Sequence, residues 1–174
     1  MRLNFSFNLI KKSILIALAV LLGVTGVLVA ASQLGSENPL PDNIRRQLDY
    51  KAIYPAETSQ IDKGSYQYRA DKKTLSFRIT TNGKEVIFTE QSTPDELGRD
   101  EQAYYQALSL RPYAQFRTEL GNVALVRFWQ SGNLEPAGQS AVLAAGGTLL
   151  VASSQKGLTN AEWKDLFDSL KISR

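Results

Sequence analysis

The chain has 174 residues, and its 20 basic and 17 acidic side chains give a formal charge of +3 with no histidine and no cysteine. Without those two residue types there is no Ser-His-Asp triad, no cysteine nucleophile, no His/Cys zinc site and no disulfide. The surplus charge is entirely Arg2, Lys11 and Lys12, so taking these three from the twenty basic residues leaves seventeen of each sign from Ser13 onward. A neutral remainder has no electrostatic footprint for nucleic acid, and no such partner is expected.

From Ser13 to Ala31 the chain reads SILIALAVLLGVTGVLVAA, with no charge. About 19 helical residues at 1.5 Å each approach the ~30 Å hydrocarbon core of a bilayer. Residues 13–31 are therefore expected to be a transmembrane helix, a signal anchor held in the lipid bilayer. Residues 1–12 form a cytoplasmic basic tail, and everything after Ala31 lies outside the cell membrane. Val29-Ala30-Ala31 before Ser32 also suits signal-peptidase cleavage, but the apolar run exceeds the ~7–15 residues of a signal-peptide core. A lipoprotein is excluded because lipidation needs a cysteine. A pilin is disfavoured because residues 14–31 lack the acidic side chain such proteins carry. Ala19, Gly23, Gly26 and Ala30 fall along one stripe of the helix, where small residues permit weak self-association.

Residues 32–46, SQLGSENPLPDNIRR, are polar with two prolines and read as a linker. Residues 47–174 are long enough for one extracytoplasmic domain with its own core. Tyr50, Ala52 and Tyr54 alternate in a strand over residues 48–54, closed by Pro55. Strands follow over 65–70 and 75–80, the second with Leu75, Phe77 and Ile79 on one face. Asn82-Gly83 marks a type I′ hairpin turn, and residues 86–90 form the return strand. Thr93, Pro94 and Glu96 together predict a capped helix start, with Leu97, Tyr104 and Leu108 on its apolar side. Strands return over 113–120 and 123–130 with Gly121-Asn122 between them. After the loop SGNLEPAG at 131–138, strands over 140–144 and 148–153 flank Gly146-Gly147. Thr159 and Glu162 form a second capping box, and Trp163, Leu166, Phe167 and Leu170 make the closing helix amphipathic. The fold class expected is α+β: an antiparallel sheet of about seven strands, with a mid-chain helix and a C-terminal amphipathic helix packed on one face.

The stretch from Gly121 to Lys171 resembles uncharacterised membrane-anchored bacterial proteins. More distantly it is similar to the outer domains of sporulation lipoproteins and anti-sigma-factor-associated proteins. The matching residues are Gly146-Gly147, Leu158-Thr159-Asn160-Ala161-Glu162 and Ser169-Leu170-Lys171. The resemblance covers about residues 75–171 and implies an envelope-facing domain that binds or senses something. It transfers no catalytic residue.

Chemical motifs are weak. Ser153-Ser154-Gln155-Lys156 fits S-x-x-K, but no S-D-N or K-T-G partner accompanies it, and a polar turn accounts for it. Asp95, Glu96, Asp100 and Glu101 suit the first turns of a helix better than a glycosidase pair. No calcium loop or phosphate loop occurs, and Asn4-Phe5-Ser6 lies on the wrong side of the membrane for glycosylation. No catalytic residue, metal ligand or cofactor is expected. Tyr50, Tyr54, Tyr66 and Tyr68 are the candidate binding surface: with Phe77 and Phe88 they suit a sheet face that stacks on glycan or extended peptide. The ordinary role of the same residues, a core with hydroxyls at its rim, carries more weight. The leading expectation is a non-catalytic anchored domain binding an envelope protein or glycan. The alternatives are a carrier of an apolar ligand and a carboxylate-based cell-surface hydrolase.

Overall fold

The computed structural model describes residues 39–107, 110–128 and 138–173. Residues 13–31, including Ser13, Ala31 and the Ala19, Gly23, Gly26, Ala30 stripe, lie outside them, as does nearly all of the 131–138 loop. Among the described residues no helix is long and apolar enough to cross a membrane.

The body is α+β, built on a seven-stranded antiparallel sheet of order β2-β3-β4-β8-β7-β6-β5. Its strands are β2 (Ile61–Arg69), β3 (Thr74–Thr81), β4 (Lys84–Ser92), β5 (Leu110–Arg117), β6 (Asn122–Phe128), β7 (Gln139–Ala145) and β8 (Thr148–Ser154). The hairpins form where local backbone chemistry demands them. Asn82 and Gly83 sit at φ 51° and 69°, and Gly146 and Gly147 at 59° and 85°, so both turns have the two positive φ values of type I′. The β5–β6 connection is longer than the expected Gly121-Asn122 turn. Thr118 and Gly121 exchange backbone hydrogen bonds, and Asn122 already pairs with Arg117.

Strand alternation sends side chains to the two faces of the sheet. On the inner face Leu75, Phe77, Ile79, Val86, Phe88, Leu125, Leu143, Leu150 and Ala152 are buried. Over them lies the closing helix, Asn160–Asp168. Thr159 accepts from the Glu162 N–H, and the Glu162 carboxylate accepts from the Thr159 N–H, completing the expected capping box. Trp163, Leu166 and Phe167 point inward. The helix ends at Asp168, two residues before Leu170, the last apolar position of its spacing. Ser169 donates its hydroxyl to the Leu166 carbonyl, and buried Leu170 opens a short strand, β9 (Leu170–Ile172).

β9 pairs with β1 (Ile53–Pro55) in a separate two-stranded sheet, in the register Ile53↔Ile172. This corrects the expected strand over 48–54: only its end is strand, and it pairs with the C-terminal strand instead of joining the seven-stranded sheet. The linker boundary moves as well. Asp42–Arg45 forms one helical turn, α1, and Leu40 and Ile44 are buried in the core at 4% and 7% exposure. The last residues of the expected tether thus belong to the domain, because two apolar side chains four apart face the sheet.

The mid-chain helix is two short ones, α2 (Asp95–Arg99) and α3 (Glu101–Ala107); the closing helix is therefore α4. Pro94, not Thr93, is the first cap, without a side-chain bond; the Thr93 N–H is instead taken by the Gly147 carbonyl. Asp100 is extended at φ −153°, and its Oδ1 accepts from Ala103 N–H, restarting the helix. Leu97 and Tyr105 pack on Ala124, Val126, Val142 and Leu149. Those residues alternate with the inner-face set on the same strands, so α2 and α3 cover the opposite face. Helices on one face only is therefore corrected to helices on both.

Candidate functional site

On β4 the inward positions are Val86, Phe88 and Glu90. The third is a carboxyl where the pattern calls for a hydrocarbon. Glu90 is 0% exposed, flanked across the ladder by Leu75 and Leu150. Its Oε1 accepts a hydrogen bond from Ile53 N–H at 3.2 Å, and its Oε2 has no partner. Burial holds this carboxyl well above the ordinary carboxylate range, against the smaller opposing pull of the Ile53 N–H.

The candidate tyrosines gather around this residue from the inside. Tyr50 arrives on the strap that precedes β1, and its hydroxyl sits within the β3–β4 ladder. It accepts from Leu75 N–H at 3.1 Å and donates to the Glu90 carbonyl at 3.0 Å. Tyr66, on β2, lays its ring against Phe77 with centroids 5.4 Å apart, and its hydroxyl is buried without a partner. Desolvation first, and the neighbouring Glu90 second, raise the pKa of both phenols. Tyr54 is buried in β1. Tyr68 is half-buried at the rim, donating to the Gln47 carbonyl at 3.1 Å. The four therefore form no open stacking platform. Their rings supply apolar area to the core, and the Tyr50 and Tyr68 hydroxyls tie the strap to the sheet.

Other motifs dissolve into local structure. Ser153 hydrogen-bonds Ser140 between hydroxyls at 2.8 Å, Ser154 donates to the Glu85 carbonyl at 3.1 Å, and Lys156 is exposed. Asp100 caps α3, and Glu101 accepts from the Tyr105 hydroxyl at 2.9 Å. Among the described residues no group of three or more His, Cys, Asp or Glu side chains is placed to hold a metal.

Two exposed features were not singled out from the sequence. On the outer face of β2–β4, Arg78 reaches Asp62 at 2.8 Å and Glu85 at 3.7 Å. Thr80 lies exposed beside it, and Ser76 meets Thr89 at 3.4 Å. At the β5 edge Tyr113, 37% exposed, lies under the Arg127 guanidinium at 4.4 Å from the ring centroid. Strand alternation marks Arg78 as outward-facing; Tyr113 needs the β5 bulge between Pro112 and Ala114, which alternation alone does not reveal. Compared with known protein families, curated proteins and solved structures, the chain matches none.

Proposed function

We propose that this protein is a single-pass membrane protein. Its N-terminus is cytoplasmic, and its α+β domain faces outward to bind or sense an envelope protein or glycan without catalysis. The observation that carries the reading is the uncharged apolar run of residues 13–31 behind Arg2, Lys11 and Lys12, the pattern of a cytoplasmic-side-in anchor. The neutral remainder favours a partner recognised by hydrogen bonds over one held by net charge.

The outer face of β2–β4 is the surface this reading assigns to the partner, in place of the tyrosines. Arg78 is held between two carboxylates there, and Ser76, Thr80 and Thr89 offer hydroxyls on a rigid sheet. A carrier role is less well supported, because Phe77, Phe88, Trp163 and Phe167 occupy the space between the sheet and α4. A carboxylate hydrolase lacks a facing pair at Glu90, whose cross-strand neighbours are leucines.

The absence of cysteine makes the topology directly measurable. Lys63 is exposed on β2, so Lys63→Cys in the full chain supplies a single thiol. A membrane-impermeant maleimide should label it in intact cells, with the protein remaining in the membrane fraction after alkaline carbonate extraction. Labelling only after lysis, or release by carbonate, overturns the reading.

A further inference from the structure

The strap of residues 39–55 crosses the inner face of the main sheet, and β1 at its end belongs to a different sheet from β4. Where they meet, a side chain rather than a ladder joins them: Ile53 N–H donates to Glu90 Oε1. Glu90 Oε2 and the Tyr66 hydroxyl are both buried and both lack partners. An uncharged carboxyl is tolerated in such a place, whereas a carboxylate with one N–H donor is strongly penalised.

The groups around Glu90 offer no relief. The strap contributes Tyr50 and β2 contributes Tyr66, whose phenols burial holds above the ordinary tyrosine value, and β1 contributes the buried Tyr54. β3 and β8 present Leu75 and Leu150, and the buried side chains of α4 are Trp163, Leu166 and Phe167. Charged residues on the strap, β9 and the β2–β3 turn include Asp49, Lys51, Lys171 and Lys73, and Lys51 is exposed. Lys171 is exposed, and Asp49 and Lys73 pair with each other at the surface. β4 itself lies mid-sheet, laddered on both sides by β3 and β8. The strap is laddered only to β9, through three residues, and is otherwise held by the Tyr50 and Tyr68 hydroxyls, a Thr148 hydroxyl bond to the Lys51 carbonyl, the surface Asp49–Lys73 pair and the burial of Ala52, Ile53 and Tyr54.

We propose that Glu90 is a proton-operated latch: uncharged, it keeps residues 50–55 seated on the sheet, and ionised, it reaches water by letting that segment lift away. The latch stands on the geometry of the domain alone. Only its consequence, a change in how the domain hangs from its anchor, rests on the anchored reading.

Hydrogen exchange of the full chain in detergent micelles, from pH 5 to 9 and corrected for intrinsic rates, tests the latch. The amides of residues 50–56 should open more readily than those of β6 and β7. Their opening constant should rise about tenfold per pH unit while the closed form keeps its proton. Glu90→Gln, which retains the acceptor for Ile53 N–H, should remove the pH dependence. A flat profile in the wild type overturns the latch, as does equal protection of the strap and β6–β7 at every pH. An unchanged slope in Glu90→Gln also overturns it. If that variant does not fold, the wild-type comparison of strap with β6–β7 decides by itself.

Discussion

Replacing Tyr50 with phenylalanine removes one oxygen and breaks two hydrogen bonds at a single point in the sheet. The hydroxyl accepts from Leu75 N–H and donates to the Glu90 carbonyl, so its loss leaves a donor and an acceptor facing each other without a partner. Each buried polar group left unsatisfied costs ~1–3 kcal/mol. The strap lies at the edge of the core and water can reach part of the gap, so the expected loss is ~2–4 kcal/mol. That is a large share of the ~5–15 kcal/mol typical of a folded domain. Tyr68→Phe is the internal control. It loses a single rim bond to the Gln47 carbonyl and should cost only ~0.5–1.5 kcal/mol. Urea unfolding followed by circular dichroism, with midpoints compared at a common slope, measures both. If Tyr50→Phe is no more destabilising than Tyr68→Phe, Leu75 N–H and the Glu90 carbonyl close on each other directly. The bridging role of the hydroxyl would then be wrong.

Three further outcomes follow from the packing and the charges. Trp163 is 0% exposed and its ring meets Phe167 at a tilt, 6.1 Å between centroids, so Trp163→Ala should cost ~3–5 kcal/mol, read as a lowered thermal midpoint. Ile44 is buried although it precedes residue 47; Ile44→Ala should cost ~2 kcal/mol or more in urea, whereas a true tether residue would cost nothing measurable. Glu162 accepts from the Thr159 N–H and from Lys84 at 2.9 Å, which together hold its carboxyl down at about 2. A depressed folded-state value means its contribution is complete above the ordinary 4.5 and is lost as pH falls from there towards about 2. Urea midpoints of wild type and Glu162→Gln should therefore differ at pH 6 and converge near pH 2.

Much of the architecture is legible where the signal is local. Asn82-Gly83 and Gly146-Gly147 bend the chain because those residues tolerate positive φ, whatever the rest of the molecule does. Thr159 and Glu162 start α4 by satisfying each other's backbone N–H groups within one turn. Thr93 carries the same sequence pattern and fails, because the Gly147 carbonyl of another hairpin takes its N–H. A residue far along the chain thus outcompetes the local cap.

The candidate site shows the same division. Alternation correctly marks Phe77 and Phe88 as sharing a face, but it does not say which face is covered, nor that Tyr50 lies on a strap and Tyr54 in a separate two-stranded sheet. Glu90 is visible in the sequence only as an acid at an inward position of an alternating strand, a signal easily attributed to a strand end. Its environment comes from Ile53 and Tyr66, which lie 37 and 24 residues before it.

The amino-acid order alone determined the α+β class, the tight turns and the α4 cap, since φ preference, alternation and capping act over a few residues. Which strands become neighbours, the pairing of Ile53 with Ile172, the inward turn of the tyrosines and the burial of Glu90 were decided only by the tertiary structure. Those features depend on segments distant in sequence meeting over a shared core, where the area removed from water, not any local rule, selects the arrangement.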